Sequence, residues 1–236
     1  MRINKYIAQC GIASRRKAED IIKLGKVKVN GKVTTDLSTD IRDTDIVSID
    51  NKTIKVVSNY VYYKLNKPKG YITSTSDDKD RKTVINLMRG VHYRVFPIGR
   101  LDYDTEGLLL LTNDGDIANI LTKPNSEVKK TYIVHIEGSI NKDDIKKLSS
   151  GVDIGDYITR PCSVELIETN ETQSKLKVAI TEGKNRQIRK MFSSIGKEVT
   201  FLRRIQIGDI KLGGLSRGEY APLNQKEIRY LKSLKK

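Results

Sequence analysis

Four consecutive leucines, Leu108–Leu111, constrain the fold of this chain more than any other feature. Gly107 precedes them and the turn-forming run Asn113–Gly115 follows closely behind them. A short apolar run bounded by turns in this way predicts a buried strand. The residues just before the leucines then lie in a loop where that strand begins. Loops held by a rigid scaffold are common places for chemistry, so this loop is the first candidate for a functional site.

The loop is acidic, with Asp102, Asp104 and Glu106 at alternate positions. This spacing resembles the start of a calcium-binding loop, which also needs a bidentate Glu at its twelfth position. That position is Asn113, and the leucines between offer no side-chain oxygen, so a calcium loop is excluded. Two interpretations remain from the residues alone. The segment is either an ordinary acidic turn or a carboxylate presented for nucleophilic or acid–base work.

The charge of the chain points to a polyanionic partner. Its 44 Lys and Arg against 29 Asp and Glu give a net charge of +15 over 236 residues. Nucleic acid is the first candidate and an anionic membrane surface is the second. The chain has no apolar stretch of the roughly 20 residues that span a bilayer, and its N-terminus lacks the apolar region of a signal peptide. We therefore expect a cytoplasmic protein without membrane attachment.

Cysteine and histidine give no sign of a disulfide or of a metal site. Cys10 and Cys162 lie far apart in the sequence, and His92 and His135 form no recognisable ligand set. We expect no metal and no cofactor.

The first 33 residues predict two short helices followed by a hairpin, with Ser14 capping the second helix and Asn30-Gly31 forming the turn. This segment contains nine Lys or Arg residues and only two acidic residues. Their basic side chains are either a solvated face or a phosphate-binding surface. A helix N-terminus that carries cations suits phosphate oxygens, so RNA binding is the stronger interpretation. The candidate RNA-binding residues here are Arg15, Arg16, Lys17 and Lys28.

The rest of the chain predicts a second, larger domain, and we place the boundary between residues 59 and 60. Strand patterns come in runs without regular alternation with helices, which favours an α+β domain with a largely antiparallel mixed sheet flanked by helices. Pro68 and Gly70 predict a basic turn after a strand that ends near Lys67. A glycine turn at residues 182–183 leads into a helix with four cations nearby, which implies an anion close to it.

Several motifs in this second domain resemble those of the RNA pseudouridine synthases of the RsuA/RluB type. The main one is GRLDYDTEGLLLLTNDGD at residues 99–116. The resemblance implies that Asp102 is the catalytic carboxylate. It also implies that Tyr132, in the Lys-x-Tyr motif of residues 130–132, stacks on the target base. In the segment EGKNRQIRKM of residues 182–191, it implies that Arg189 pairs with Asp102.

Residues 7–33, IAQCGIASRRKAEDIIKLGKVKVNGKV, resemble the small RNA-binding module of a ribosomal protein of the S4 type. The implied organisation is an S4-like RNA-binding domain at residues 1–59 and a pseudouridine synthase catalytic domain at residues 60–236. The resemblance places further RNA contacts around the active site, at Lys67, Arg100, Lys184, Asn185, Arg186 and Gln187.

The function implied is isomerisation of a specific uridine in ribosomal RNA, without a cofactor, by a monomer that acts on the RNA or on a ribosome-assembly intermediate. Asn185-Arg186 and the polar segment 74–82 favour large-subunit over small-subunit RNA. Two alternatives stay open. A glycosidase-like enzyme would use Asp102 with Asp104 or Glu106 and release free base. A catalytically silent RNA-binding or ribosome-assembly protein would need only the basic surfaces.

Overall fold

A computed structural model describes residues 1–155 and 157–235, which form two compact units. The first unit comprises Met1–Val61 together with the short segments Val91–Arg94 and Asn113–Gly115. The second comprises Tyr62–Gly90, Val95–Thr112 and the chain from Asp116 onward. Helices and mainly antiparallel sheets are present in the chain, which confirms the α+β class. Among the described residues the longest helices have nine residues, and none is long and apolar enough to cross a membrane.

The first unit begins with two helices and continues as a four-stranded sheet. Ser14 Oγ accepts a hydrogen bond from Lys17 N at 3.2 Å and caps the second helix, as the sequence predicts. Asn30 and Gly31 both have positive φ, at 50° and 80°, which is the conformation of the predicted hairpin turn. The elements are α1 (Ile3–Gln9), α2 (Arg15–Lys23), β1 (Val27–Val29), β2 (Lys32–Val33), β3 (Val47–Ile49) and β4 (Lys52–Ile54), in the sheet order β2-β1-β3-β4.

The second unit is built on one large sheet. Its strands are β5 (Tyr62–Lys67), β6 (Phe96–Ile98), β7 (Glu106–Thr112), β8 (Lys130–Glu137), β9 (Ser163–Thr169), β10 (Gln173–Ile180), β11 (Val199–Ile207), β12 (Ile210–Lys211) and β13 (Tyr220–Pro222). Its helices are α3 (Gly115–Thr122), α4 (Lys142–Ser150), α5 (Gln187–Ser193) and α6 (Gln225–Ser233), with a short 3₁₀ helix at Val84–Leu87.

The leucine run lies in the interior of this sheet. The strand order is β13-β5-β7-β11-β8-β10-β9, with β6 paired to β7 and β12 paired to β11. Of the strand pairings in the described residues, β7 with β11 is parallel and the others are antiparallel. Leu108–Leu111 are each at most 1% exposed. The predicted buried strand is therefore confirmed, and it fixes the position of the loop that precedes it.

Gly107 allows β7 and β11 to approach at the point where the loop joins the sheet. Its φ is 106°, and a Cβ atom there would lie 2.2 Å from Arg204 O. A side chain at this position would therefore be strained by both the backbone conformation and the contact. The glycine places the acidic loop directly beside the middle of β11.

Candidate active site

A cavity of about 570 Å³ opens in the second unit. Asp102 from the acidic loop, Tyr132 from β8, and Leu202 and Arg204 from β11 contribute to its lining. The segment 182–188, which leads into α5, contributes as well. The structure therefore brings together residues from the three motifs that the sequence analysis singles out.

The loop that carries Asp102 is held by hydrogen bonds to its backbone. Asp102 O accepts from Thr105 N at 3.1 Å, which closes a turn over residues 102–105. Thr73 bonds Leu101 in both directions, since its Oγ1 donates to Leu101 O at 2.7 Å and accepts from Leu101 N at 3.2 Å. Gly70 N donates to Tyr103 O at 2.9 Å. Bonds at this many points hold the backbone from which the Asp102 side chain projects.

The Lys67 side chain also holds this loop through hydrogen bonds, and here the structure corrects the sequence analysis. Lys67 is predicted to contact RNA, but it is completely buried. Its Nζ donates to the carbonyl oxygens of Pro68, Asp102 and Thr105 at 3.1, 3.0 and 2.9 Å. Burial lowers the pKa of its ammonium to about 8, although the Asp102 and Asp104 carboxylates oppose that shift. A side chain in this position supports the loop and does not reach RNA.

Of the three acidic residues in the loop, Asp102 is the one that lines the cavity. In the part of the chain that the structure describes, its carboxylate receives no hydrogen bond and forms no ion pair. Glu106 is 3% exposed and is paired with Arg217, with 3.1 Å between Arg217 Nε and Glu106 Oε2, and more distantly with Arg203. A glycosidase-like pair of Asp102 with Asp104 or Glu106 therefore finds no support in the geometry.

Arg189 does not form the expected pair with Asp102. Its Nη2 lies 3.2 Å from Asp104 Oδ2 and donates to Asp104 O at 3.3 Å, while its Nη1 donates to Val199 O at 2.7 Å. The turn over residues 102–105 explains this pairing. It places Asp102 on the cavity lining and the Asp104 carboxylate in contact with Arg189 of α5. Arg189 therefore contacts the loop at the residue two positions after Asp102.

Asp104 also binds the residue at the start of α5. Arg186 makes a two-point contact with it, from Nη1 to Oδ1 and from Nη2 to Oδ2, both at 3.2 Å. Burial alone would raise the pKa of the Asp104 carboxyl, but the Arg186 hydrogen bonds and the Arg189 charge outweigh it and hold the pKa below its ordinary value. Two arginines from one segment thus clamp an ionised carboxylate in the acidic loop.

Tyr132 and Arg204 are neighbours inside the cavity. They are paired in register between β8 and β11, and Arg204 Nη1 lies 3.5 Å from the Tyr132 hydroxyl oxygen. Arg204 Nε donates to Leu108 O at 2.7 Å, so the guanidinium is fixed to the leucine strand. The sequence analysis does not single out Arg204. Leu202 and Arg204 are two residues apart on one strand and therefore share a face. Strand periodicity would thus have placed Arg204 in the cavity once Leu202 was assigned to its lining.

Lys130 is a second lining residue that the sequence analysis misses. Its Nζ donates to Val128 O at 3.3 Å and to Thr181 O at 2.9 Å. Burial, followed by the nearby Arg204 charge, lowers its pKa to about 8. Its position next to Thr131-Tyr132 in the Lys-x-Tyr motif was the available signal.

The segment before α5 forms one wall of the cavity, and Gln187 there differs from its predicted role. Gln187 is 3% exposed, its Nε2 donates to Glu182 Oε1 at 2.6 Å, and its Oε1 accepts from Lys184 N at 3.0 Å. Because both ends of its amide are bonded within the protein, Gln187 shapes the wall and is not available to bind RNA. Glu182 is further engaged by Arg160 N at 2.9 Å. The other predicted RNA contacts in this region are exposed on the lining: Arg100, Lys184, Asn185 and Arg186.

The predicted basic surface of the first unit is exposed at the start of α2, where Arg15, Arg16 and Lys17 are accessible. Lys28 is half-buried, and its Nζ donates to Asn51 Oδ1 at 2.9 Å. Within residues 1–155 and 157–235, no three His, Cys, Asp or Glu side chains are grouped so that they could hold a metal ion.

Comparisons with known proteins assign both parts of the chain. Residues 61–194 match the family of RNA pseudouridylate synthases, and residues 1–47 match the S4 domain. The chain is 42% identical over 235 residues to the ribosomal large subunit pseudouridine synthase B of Bacillus subtilis, covering 99% of this chain and 96% of that protein. It is 36% identical over 230 residues to the dual-specificity RNA pseudouridine synthase RluF of Escherichia coli, covering 97% and 77%.

A solved structure agrees with these sequence matches. A crystal structure of a pseudouridylate synthase superimposes with a TM-score of 0.71 and 30% sequence identity, covering 98% of this chain and 99% of the other. The expected family, the S4 domain and the enzyme class are thereby confirmed. With its acidic loop, its cavity and its basic N-terminal unit, this chain belongs to the RNA pseudouridylate synthase family.

Proposed function

We propose that this protein converts a specific uridine of large-subunit ribosomal RNA to pseudouridine, with Asp102 as the catalytic carboxylate. The reaction breaks the N1–C1′ glycosidic bond, turns the uracil over and joins it to the ribose through C5. The observation that carries this proposal is the selective placement of Asp102. It alone of the three loop acids lines the cavity, and among the described residues its carboxylate accepts no hydrogen bond and forms no ion pair.

The surroundings of Asp102 suit a carboxylate that acts as an anion. The side chains of Lys67 and Thr73 hold the loop by donating hydrogen bonds to its backbone carbonyls. These bonds leave the carboxylate oxygens of Asp102 open to substrate. Arg189 and Arg186 hold Asp104 on the other side of the same turn. In this proposal Arg189 is a positioning residue, since it acts on Asp102 through the loop.

The cavity has a platform for a base that has left its stack. Tyr132 is 7% exposed and contributes to the lining, so its ring is available to a uracil inserted into the cavity. Removing a base from its stack costs a few kcal/mol, and contact with an aromatic ring offsets part of that cost. In this proposal Arg100, Lys184 and Asn185, which are exposed on the cavity lining, contact the flanking phosphates, and Arg186 does so while it holds Asp104.

The choice of ribosomal RNA rests on the relatives, together with the exposed Arg15, Arg16 and Lys17 of the S4 domain. Cations at a helix N-terminus suit the phosphate backbone of RNA. Lys28, which is partly engaged by Asn51, extends the same proposal. We further propose that the protein acts as a cytoplasmic monomer on ribosomal RNA or on an assembling particle.

Pseudouridine mapping in cells tests this proposal. Both ribosomal RNAs are mapped in a strain that lacks the gene and again after complementation with wild type, Asp102→Asn or Asp143→Asn. Asp143 is an exposed acid of α4 and serves as the matched control for loss of one negative charge. We expect one or more large-subunit uridines to lose modification on deletion and to regain it with wild type and Asp143→Asn only. Restoration by Asp102→Asn would exclude the proposed role of that carboxylate. A change confined to small-subunit RNA would exclude the proposed substrate.

A further inference from the structure

The guanidinium of Arg204 is buried in the cavity wall with part of its hydrogen-bonding capacity unused. The residue is 4% exposed, and Nε and Nη1 have Leu108 O and the Tyr132 hydroxyl as neighbours. Nη2 is buried and has no hydrogen-bond partner within residues 1–155 and 157–235. No carboxylate of these residues lies in ion-pair contact with it either.

Such an arrangement is unusual for a buried arginine. A guanidinium keeps its proton at any physiological pH, so it cannot relieve its burial by becoming neutral. Buried charges are normally paired, and buried N–H groups are normally bonded. An unpaired N–H on a residue that lines a cavity therefore indicates a partner that arrives with the substrate, and a small shift of the side chain on entry of the base then opens Nη2, which has almost no accessible surface, to that partner.

Two further cations increase the positive charge near this wall. Lys67 is buried and Lys130 is half-buried, and the charge of Arg204 contributes to lowering the pKa of each, after burial itself. Their ammonium groups are occupied, because each donates to backbone carbonyls. Lys67 Nζ donates to three carbonyls and Lys130 Nζ to two, so among the side-chain nitrogen atoms of these three residues, in the described part of the chain, Arg204 Nη2 is the one that donates no hydrogen bond.

The chemistry of the proposed reaction supplies a negative partner of the right kind. When the N1–C1′ bond breaks, its electron pair leaves with the base, and the resulting uracil anion shares its charge between N1 and its carbonyl oxygens. The electron-poor C1′ bonds to a carboxylate oxygen of Asp102, and that bond breaks again, releasing the carboxylate, when C5 takes its place. When C5 then bonds to C1′, C5 loses its proton and N1 gains one, so the overall change is an isomerisation. Between these steps the anion must be retained while it turns.

We propose that Arg204 binds a carbonyl oxygen of the target uracil through Nη2 and stabilises the negative charge on the detached base while it turns over. Arg204 is then a catalytic residue, placed beside the Tyr132 ring that is proposed to hold the face of the base. A preorganised donor that is shielded from bulk water, as the buried Arg204 is, is effective for charge that develops during the reaction. This inference rests on the proposed conversion of uridine to pseudouridine.

Sulfur-substituted substrates test the contact directly. Single-turnover rates are measured for wild type and Arg204→Met on an RNA fragment that carries uridine, 2-thiouridine or 4-thiouridine at the target position. Sulfur accepts hydrogen bonds more weakly than oxygen. We expect sulfur at one of the two positions to slow the wild type about tenfold, and Arg204→Met to slow the uridine reaction about 10²-fold or more. In Arg204→Met the same sulfur should cost nothing further, because the contact is already gone.

Three controls exclude a merely structural effect. Arg203→Met removes the neighbouring arginine, which faces Glu106, and should leave the full sulfur effect in place. RNA affinity of Arg204→Met, measured by filter binding, should stay within about twofold of wild type. Its thermal midpoint should not fall by much, since the buried charge, which has no ion-pair partner among the described residues, is removed along with the hydrogen bonds to Leu108 O and to the Tyr132 hydroxyl. If Arg204→Met does not fold, Arg204→Lys takes its place. It keeps the charge and should retain part of the rate while losing part of the sulfur effect.

The outcomes separate this inference from the proposed function. An active wild type whose sulfur effects persist in full in Arg204→Met overturns the role of Arg204 and leaves pseudouridine formation standing. The same holds if Arg204→Met reacts at the wild-type rate. Persistence of both sulfur effects with a shifted acidic limb in the pH–rate profile would show that Arg204 serves the Asp102 carboxylate and not the base. A wild type that forms no pseudouridine in any RNA overturns the proposed function and this inference together.

Discussion

The contact of Arg189 with Asp104, in place of Asp102, leads to a specific prediction about Asp104→Asn. The change keeps the shape of the side chain and removes its charge, which weakens contacts of 3.2 Å to Arg186 Nη2 and to Arg189 Nη2. The Asp104 side chain is 41% exposed, so solvent screening limits what each pair contributes. We assign about 0.5 kcal/mol to the exposed Arg186 pair and about 1 kcal/mol to the Arg189 pair, whose arginine is 14% exposed.

Together these pairs contribute about 1.5 kcal/mol to holding the loop against α5, which corresponds to roughly a tenfold change in an equilibrium or a rate. We therefore expect Asp104→Asn to lower the single-turnover rate about tenfold while RNA affinity changes little. Arg189→Met should cost a similar or somewhat larger factor. The double variant should be no slower than Arg189→Met by more than about threefold, because both changes break the same contact.

The assay is single-turnover pseudouridine formation with saturating enzyme, and Asp143→Asn is the charge-matched control. A wild-type rate for Asp104→Asn combined with a severe loss in Arg189→Met would refute the reasoning. That result would mean that Arg189 serves Asp102 directly during the reaction. Fully multiplicative effects of the two changes would refute it as well, since independent contacts are additive in free energy.

Three further predictions concern the supports of the site and the RNA surface. Lys67→Met removes hydrogen bonds to three carbonyl oxygens, each of which contributes about 1 kcal/mol to the free energy of unfolding. It also removes an ammonium group whose pKa in the folded protein is about 8. Between pH 8 and 10 the unfolded lysine still holds its proton and the folded one does not. The stability of wild type should therefore rise relative to Lys67→Met, by up to about 1.4 kcal/mol per pH unit, and parallel pH profiles in urea unfolding would contradict this. In the same assay, Gly107→Ala should lower the free energy of unfolding by about 3 kcal/mol or more, because its Cβ would lie 2.2 Å from Arg204 O. A decrease below about 1 kcal/mol would show that the two strands separate readily. The double variant Arg15→Ala, Arg16→Ala should weaken RNA binding and reduce the slope of log affinity against log salt concentration by about 1.5. The single-turnover rate at saturating enzyme should stay unchanged. An unaltered slope would exclude phosphate contacts at these two residues.

The elements of the fold were predictable wherever the local signal was strong. The leucine run, the Asn30-Gly31 hairpin and the Ser14 cap each specify a local conformation through residue type alone, and the structure has all three. Leu24 shows the limit of periodicity. It continues the apolar face of α2 in sequence, but the helix ends at Lys23 and Leu24 is 70% exposed.

The site was predictable as a set of segments and less so as a set of contacts. The sequence indicates that the acidic loop and the basic segment before α5 belong together. It does not indicate which carboxylate faces which arginine, because that depends on the turn over residues 102–105. The burial of Lys67 was hidden for a related reason. A lysine in a basic turn is normally exposed, and only the surrounding carbonyls, which come from a distant part of the chain, account for its position.

The parallel pairing of β7 with β11 also affects when the active site forms during synthesis. Glu106 and Gly107 pair with Arg203 and Arg204, which lie almost a hundred residues later in the chain. A nascent chain that has just exposed the acidic loop can form the pairing of β5 with β7, but it lacks Leu202 and Arg204 from the cavity wall. Contacts between segments this distant in sequence form slowly and late. We therefore expect the cavity to be completed only after β11 has left the ribosome, so that truncated chains ending before residue 199 carry Asp102 without a working site.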